Sequence, residues 1–138
     1  MEPATDGIVE QCVEDGRLLA LVVRNAYSPT KTAFVTPDDC QQQLGFIVYG
    51  AGTTIPRHSH LPIERRIVGT NEVVFVRKGR CTAEIYGRER TVIRRFELVQ
   101  GDVIVLNGGA HGFVVHDDTV LMEIKQGPFM PAPEKERF

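Results

Sequence analysis

The sequence predicts an all-β fold, a sandwich or barrel of many short strands. Three observations carry this. Short runs of β-branched and aromatic residues recur along the chain, and turn signals separate them at regular intervals. No long stretch places apolar residues at helical spacing. The 138 residues suffice for one domain, 1–138, with a buried core.

Taken in order, residues 1–7 are polar and carry no strand signal. Residues 8–24 read as a hairpin, IVEQCVE and RLLALVVR around Asp15-Gly16, a strong two-residue turn signal. Residues 25–39 hold two prolines and several turn formers, so they form a long connection with one short strand near Ala33–Val35. LGFIVYG (44–50) and TTIPRHSH (53–60) are the next strands, the second at an edge or bulge because Pro56 cannot donate to a ladder. Residues 61–71 are a polar excursion. EVVFVRK (72–78) and RCTAEIYG (80–87) are expected to pair as a hairpin around Lys78-Gly79. RTVIRRFELV (90–99) and DVIVLN (102–107) follow. AHGFVVH (110–116) and TVLMEIK (119–125) are expected to pair around Asp117-Asp118, before a proline-broken tail, 126–138.

Composition narrows the function classes. Hydrophobic residues make up 42% and charged residues 25%, and the net charge of −2 comes from interspersed signs. No basic face suggests nucleic acid and no polybasic run suggests a membrane surface. Three widely spaced cysteines, Cys12, Cys40 and Cys81, read as free thiols in a reducing compartment. The N-terminus lacks the pattern of a signal peptide, so the cytoplasm is the expected location.

The chemistry concentrates between Gly52 and Gly79. His58 and His60 sit two apart in a segment read as extended, so both imidazoles point to one side, a ready pair of metal ligands. Two carboxylates follow. Glu64 is nearer but lies in a loop, whereas Glu72 opens a strand, which fixes a ligand better. His111 and His116 differ by an odd number, so on one strand they face opposite sides and only one can join the site.

The order of these pieces resembles the cupin family. Gly52, five residues, His58-Ser59-His60, then Glu72, six residues and Gly79 are similar to its first motif. Gly101, five residues, Asn107-Gly108-Gly109 and His111 are similar to its second. The resemblance covers about residues 42–125. It implies a jelly-roll barrel, with the hairpin 8–24 before it and the tail 126–138 after it. It also implies His58, His60, Glu72 and His111 as ligands of a divalent ion, with iron, manganese, nickel, zinc and cobalt all suited to such a set. A homodimer formed by strand exchange is a further implication. The chain departs from the family at several places. Eleven residues separate His60 from Glu72, Asn107 stands where proline belongs, His111 comes one residue early, and the motif's final asparagine is absent.

Face parity extends the reading. With Lys78-Gly79 as a turn, Val74, Val76, Cys81, Ala83 and Ile85 share the inward face. Cys81 then lies roughly 13 Å along the ladder from Glu72, a core thiol and not a ligand. With Asp117-Asp118 as a turn, Phe113, Val115, Val120, Met122 and Ile124 coincide, making Phe113 a pocket wall and turning Glu123 and Lys125 out. A slip of one residue would turn Glu123 and Lys125 inward. Arg57, Arg65 and Arg66 are candidates for clamping an anionic small molecule near the mouth. The expected function is a metal-dependent cupin enzyme, an oxygenase or isomerase, acting on a small polar, anionic or sugar-like molecule. A non-catalytic binding or sensor module is the alternative, and a structural or oligomeric barrel the third reading.

Overall fold

The computed structural model describes residues 7–138. The expectation for residues 1–7 therefore falls, except for Gly7, outside the described residues. Among the described residues, ten strands and no helix make the fold all-β. They are β1 (Val9–Glu14), β2 (Arg17–Val23), β3 (Ala33–Phe34), β4 (Gly45–Phe46), β5 (Glu72–Lys78), β6 (Arg80–Tyr86), β7 (Val92–Val99), β8 (Val103–Leu106), β9 (Ala110–Val115) and β10 (Val120–Lys125). They build a five-stranded antiparallel sheet in the order β1-β2-β8-β5-β10, a three-stranded antiparallel sheet β7-β6-β9, and the small pair β3-β4. The two larger sheets face each other, and the described residues do not close into a barrel.

The N-terminal hairpin forms as its turn chemistry requires. Asp15 and Gly16 both take positive φ, 49° and 75°, the pairing a two-residue primed turn needs. Alternation then assigns the faces. Ala20, Val22, Val74, Val76, Ile104 and Leu106 of the larger sheet pack against Cys81, Ala83, Ile85, Phe96 and Leu98 of the smaller one. The other face of the larger sheet, with Leu21, Val23 and Val105, is covered by Val35 from the long connection and by Leu44 and Phe46 at β4. The inward set expected around Gly79 is therefore correct, and Cys81 is a fully buried core thiol.

Two expected hairpins are not hairpins. β5 pairs with β8 and β10, while β6 pairs with β7 and β9. The Lys78-Gly79 turn is thus a corner that carries the chain from one sheet to the other. Gly79 takes φ +90°, and a Cβ there would run into Asp118 and Thr119. The second corner, His116–Thr119, packs on the first: Arg80 N donates to Thr119 Oγ1 at 3.2 Å, and Arg80 Nε to Asp117 Oδ2 at 3.3 Å. β9 and β10 leave this corner into different sheets.

Two expected strands are reduced or missing. Of 44–50 only Gly45–Phe46 pairs, and 53–60 forms no strand. Residues 49–70 are exposed without interruption. Among the described residues, the only hydrogen bonds of residues 50–69 stay within the segment, Thr53 N to Gly50 O at 3.2 Å and His58 Nδ1 with Pro56 O at 2.8 Å. Among the described residues, no neighbouring strand completes the backbone hydrogen bonds of this extended sequence.

Candidate functional site

The site is built where β5 and β9, from opposite sheets, approach each other. Glu72 begins β5 opposite Leu106 of β8, so its side chain enters the space between the sheets and is buried. His111 pairs with inward-facing Ile85 of β6, which sends its imidazole into the same space. Glu72 Oε2 and His111 Nε2 stand 3.2 Å apart. Gly108 and Gly109, with φ +148° and +68°, make the tight approach to β9 that places His111 there. A Cβ at Gly109 would press on the Tyr86 carbonyl and Leu19, so the glycine pair sets the turn.

Beside the pair lies a polar floor that the motifs do not announce. Asn71 Nδ2 donates to Asn107 Oδ1 at 3.1 Å, and Asn71 N donates to Gln126 Oε1 at 2.7 Å. Asn107 Nδ2 in turn donates to the Leu18 carbonyl at 3.1 Å. The residue standing where the cupin pattern has proline thus ties β8 to β2 and orients the residue before Glu72.

Glu123 takes the face opposite to the one that a hairpin turn at Asp117-Asp118 gives it. β10 lies against β5 with Glu123 opposite Val74 and Lys125 opposite Glu72. Both partners face inward, so Glu123 and Lys125 do too, and Met122 and Ile124 take the other face, opposite the expected arrangement. The reason is topological: β10 takes its register from β5 and not from β9, with a bulge between Val120 and Leu121. The carboxyls of Glu123 and Glu72 are neighbours whose pKa values are driven in opposite directions. Glu72 is held below the usual carboxylate range, chiefly by its hydrogen bond with His111, against the opposing effect of burial. Glu123 is pushed up, first by burial and then by the neighbouring Glu72 carboxylate and its charge.

The cavity that opens from this point has a volume of about 890 Å³. Glu72, His111, Asn71, Asn107 and Arg17 line it, with Val68–Thr70 on one side and Glu134–Phe138 on another. The C-terminal segment is held there by the Phe138 ring against Tyr86, 5.3 Å between centroids, and by Arg90 Nη2 on Glu136 at 3.0 Å. Lys125 Nζ meets Glu134 at 2.6 Å.

The remaining expected residues lie elsewhere. His58 and His60 stand on the exposed segment, their rings 5.4 Å apart. Arg57, Arg65 and Arg66 are on the same segment and do not line the cavity. Phe113 packs at the edge of the core with its ring 6.0 Å from that of His111. His116 faces the opposite side of β9, where its Nε2 bonds Thr82 Oγ1 at 2.6 Å. Among the described residues no group of three or more His, Cys, Asp and Glu stands close enough to hold a metal ion. One chain therefore assembles two of the four expected ligands, Glu72 and His111, and this does not by itself fit a divalent centre. Compared with protein-family models, curated proteins and solved structures, the chain matches none. No helix among the described residues is long and apolar enough to cross a membrane.

Proposed function

We propose that this chain is a metal-binding protein of the cupin type with jelly-roll architecture. On this reading it holds a divalent ion through Glu72 and His111, with His58 and His60 completing the set, and takes a small polar molecule in the adjoining cavity. The observation that carries the reading is the approach of Glu72 and His111. They are far apart in sequence and come from opposite sheets, yet they meet at the floor of a cavity of ligand size. Support for an anionic or sugar-like molecule comes from the lining, where Arg17 stands among the amides of Asn71 and Asn107. Arg17, together with Lys135 and Arg137 of the C-terminal segment and not Arg57, Arg65 or Arg66, then supplies the cations that line the cavity. The chemistry this suits is that of an oxygenase or isomerase. A binding module without turnover is the second reading. The C-terminal segment walling the cavity favours it, since that arrangement suits retention of a ligand.

Cobalt binding tests the metal reading. The wild type is expected to bind about one Co2+ per chain, and Glu72→Gln and His111→Ala to lose affinity by at least about tenfold each. Titration followed by the visible cobalt spectrum and by elemental analysis reads this out. A wild type that holds no stoichiometric metal would overturn it.

A further inference from the structure

Residues 134–138 wall the cavity without belonging to either sheet. Among the described residues, no backbone–backbone hydrogen bond reaches them. Side chains hold them instead, and only every second one. Glu134 meets Lys125 at 2.6 Å, and Glu136 meets Arg90 at 3.0 Å. The Phe138 ring lies against Tyr86, with the Arg90 guanidinium 4.8 Å from its centroid. Contacts from alternate residues are the period-two pattern of an extended chain. Lys135 and Arg137 stand outside these contacts, and both line the cavity. Lys135 is near enough to Glu72 and Glu123 for its charge to lower the pKa of each.

Arg17 is the third cation of the lining, and a Cβ at Gly108 would sit 3.9 Å from its Nη2. Arg24, Arg80, Arg88, Arg90, Arg94 and Arg95 all hold a carboxylate. Among the described residues, Arg17, Lys135 and Arg137 enter no ion pair. Of the carboxylates lining the cavity, Glu134 and Glu136 are held by Lys125 and Arg90, and Glu72 by His111, which leaves Asp39. We infer that residues 134–138 are a clamp for a phosphoryl group. Lys135 and Arg137 close on it from one wall, and Arg17 meets it at the glycine turn before β9. A phosphoryl group carries a charge of about −1.5 to −2 at neutral pH and three acceptor oxygens in a tetrahedral array, one for each cation. A carboxylate has two oxygens in one plane and would leave a cation unanswered. The cavity, about 890 Å³, has room for the rest of a phosphate ester. Because side chains alone hold the segment, it can lift to admit the ligand, which then adds to its hold. The clamp rests on the reading of the cavity as a site for an anionic small molecule, and not on the metal.

Calorimetric titration of glycerol 3-phosphate into the full chain at low ionic strength tests the clamp. The wild type is expected to bind about one equivalent per chain. Lys135→Ala/Arg137→Ala should weaken binding at least about tenfold, and Arg17→Ala by a similar factor. Arg65→Ala/Arg66→Ala removes the same charge as the first pair but away from the cavity, and should leave binding unchanged. All five side chains are exposed, so the circular dichroism spectra of the variants should coincide with that of the wild type. A wild type that binds no glycerol 3-phosphate, or equal losses in the cavity and control variants, overturns the clamp.

Inorganic phosphate and succinate are titrated alongside. Tighter binding of glycerol 3-phosphate assigns the site to phosphate esters, and tighter binding of inorganic phosphate assigns it to the free ion. Succinate binding as tightly as either overturns the phosphoryl assignment. Glu72→Gln/His111→Ala separates the clamp from the metal. Retained binding of glycerol 3-phosphate in this variant supports the clamp, whereas loss would put the anion on a bound metal ion and overturn it. A wild type that binds glycerol 3-phosphate but no stoichiometric Co2+ overturns the metal reading and supports the clamp.

Discussion

Single residues in this chain are settled chiefly by whether their polar atoms are answered. Asp102 is almost fully buried, yet its carboxylate accepts from Asn25 N at 2.9 Å, Val99 N at 3.0 Å and Arg24 Nη1 at 3.1 Å. Arg24 also holds Glu10, so one buried acid ties β1, β2 and the turn before β8. The cysteines are the opposite case, small side chains buried as hydrophobes. Cys12, Cys40 and Cys81 are free and buried, and burial is the first cause that raises each thiol pKa. Two consequences follow from this. A disulfide-forming colorimetric reagent should label none of the three in the native protein within minutes and all three after denaturation. Fast native labelling of Cys81 would show that the core opens. The second consequence concerns pH. Folding raises these pKa values, so the thiols' contribution to stability is complete below the free-thiol value of about 8.5. It is lost as pH rises through that value toward the raised folded ones. Urea midpoints should therefore fall through the alkaline range, and fall less in Cys12→Ser/Cys81→Ser than in the wild type.

At the scale of elements, alternation and turn chemistry made nearly all the strands legible, while their neighbours were not. Period-two patterning names the face of Val74, Val76, Cys81, Ala83 and Ile85 whatever strand lies alongside. It cannot tell a hairpin from a corner between sheets, because both need only a short turn with a glycine or an aspartate. Hence Lys78-Gly79 and Asp117-Asp118 read as hairpins, and that reading turns Glu123 to the outer face although its register with Val74 puts it on the inner one. His58 and His60 were readable as a pair, but not their distance from Glu72 and His111. A difference between two glycines checks this account. Gly16 is a true hairpin turn with φ +75° and open space where a Cβ would go. Gly79 is a corner packed on Asp118 and Thr119. Gly16→Ala should cost only the backbone penalty, about 1 kcal/mol. Gly79→Ala adds a clash with the second corner and should cost about 3 kcal/mol or more. Urea unfolding of the two variants measures both, and equal costs would mean that the two corners are not packed together.

For the molecule as a whole, three layers follow from one amphipathic accounting. The larger sheet is apolar on both faces, so it needs the smaller sheet on one side and the Val35–Phe46 cover on the other. What this packing leaves open is the side bounded by β9 and β10, where the cavity lies and where the C-terminal segment crosses. That crossing rests on contacts between solvent-accessible groups: Lys125 with Glu134, Arg90 with Glu136, and Phe138 with Tyr86 and Arg90. Exposed ion pairs contribute little to stability, but they set where a segment spends its time and are weakened by salt. Replacing Glu134 by Gln together with Phe138 by Ala should therefore leave the urea midpoint almost unchanged. Loosening one wall of the cavity should at the same time quicken the entry of small solutes. On the metal-binding reading proposed above, stopped-flow uptake of Co2+ is expected to be several-fold faster in the double variant than in the wild type, at equal equilibrium affinity. Raising the ionic strength should bring the wild-type rate toward that of the variant. Equal rates at low salt would show that entry does not pass the C-terminal segment, and would place the path along the open edges of β9 and β10 instead.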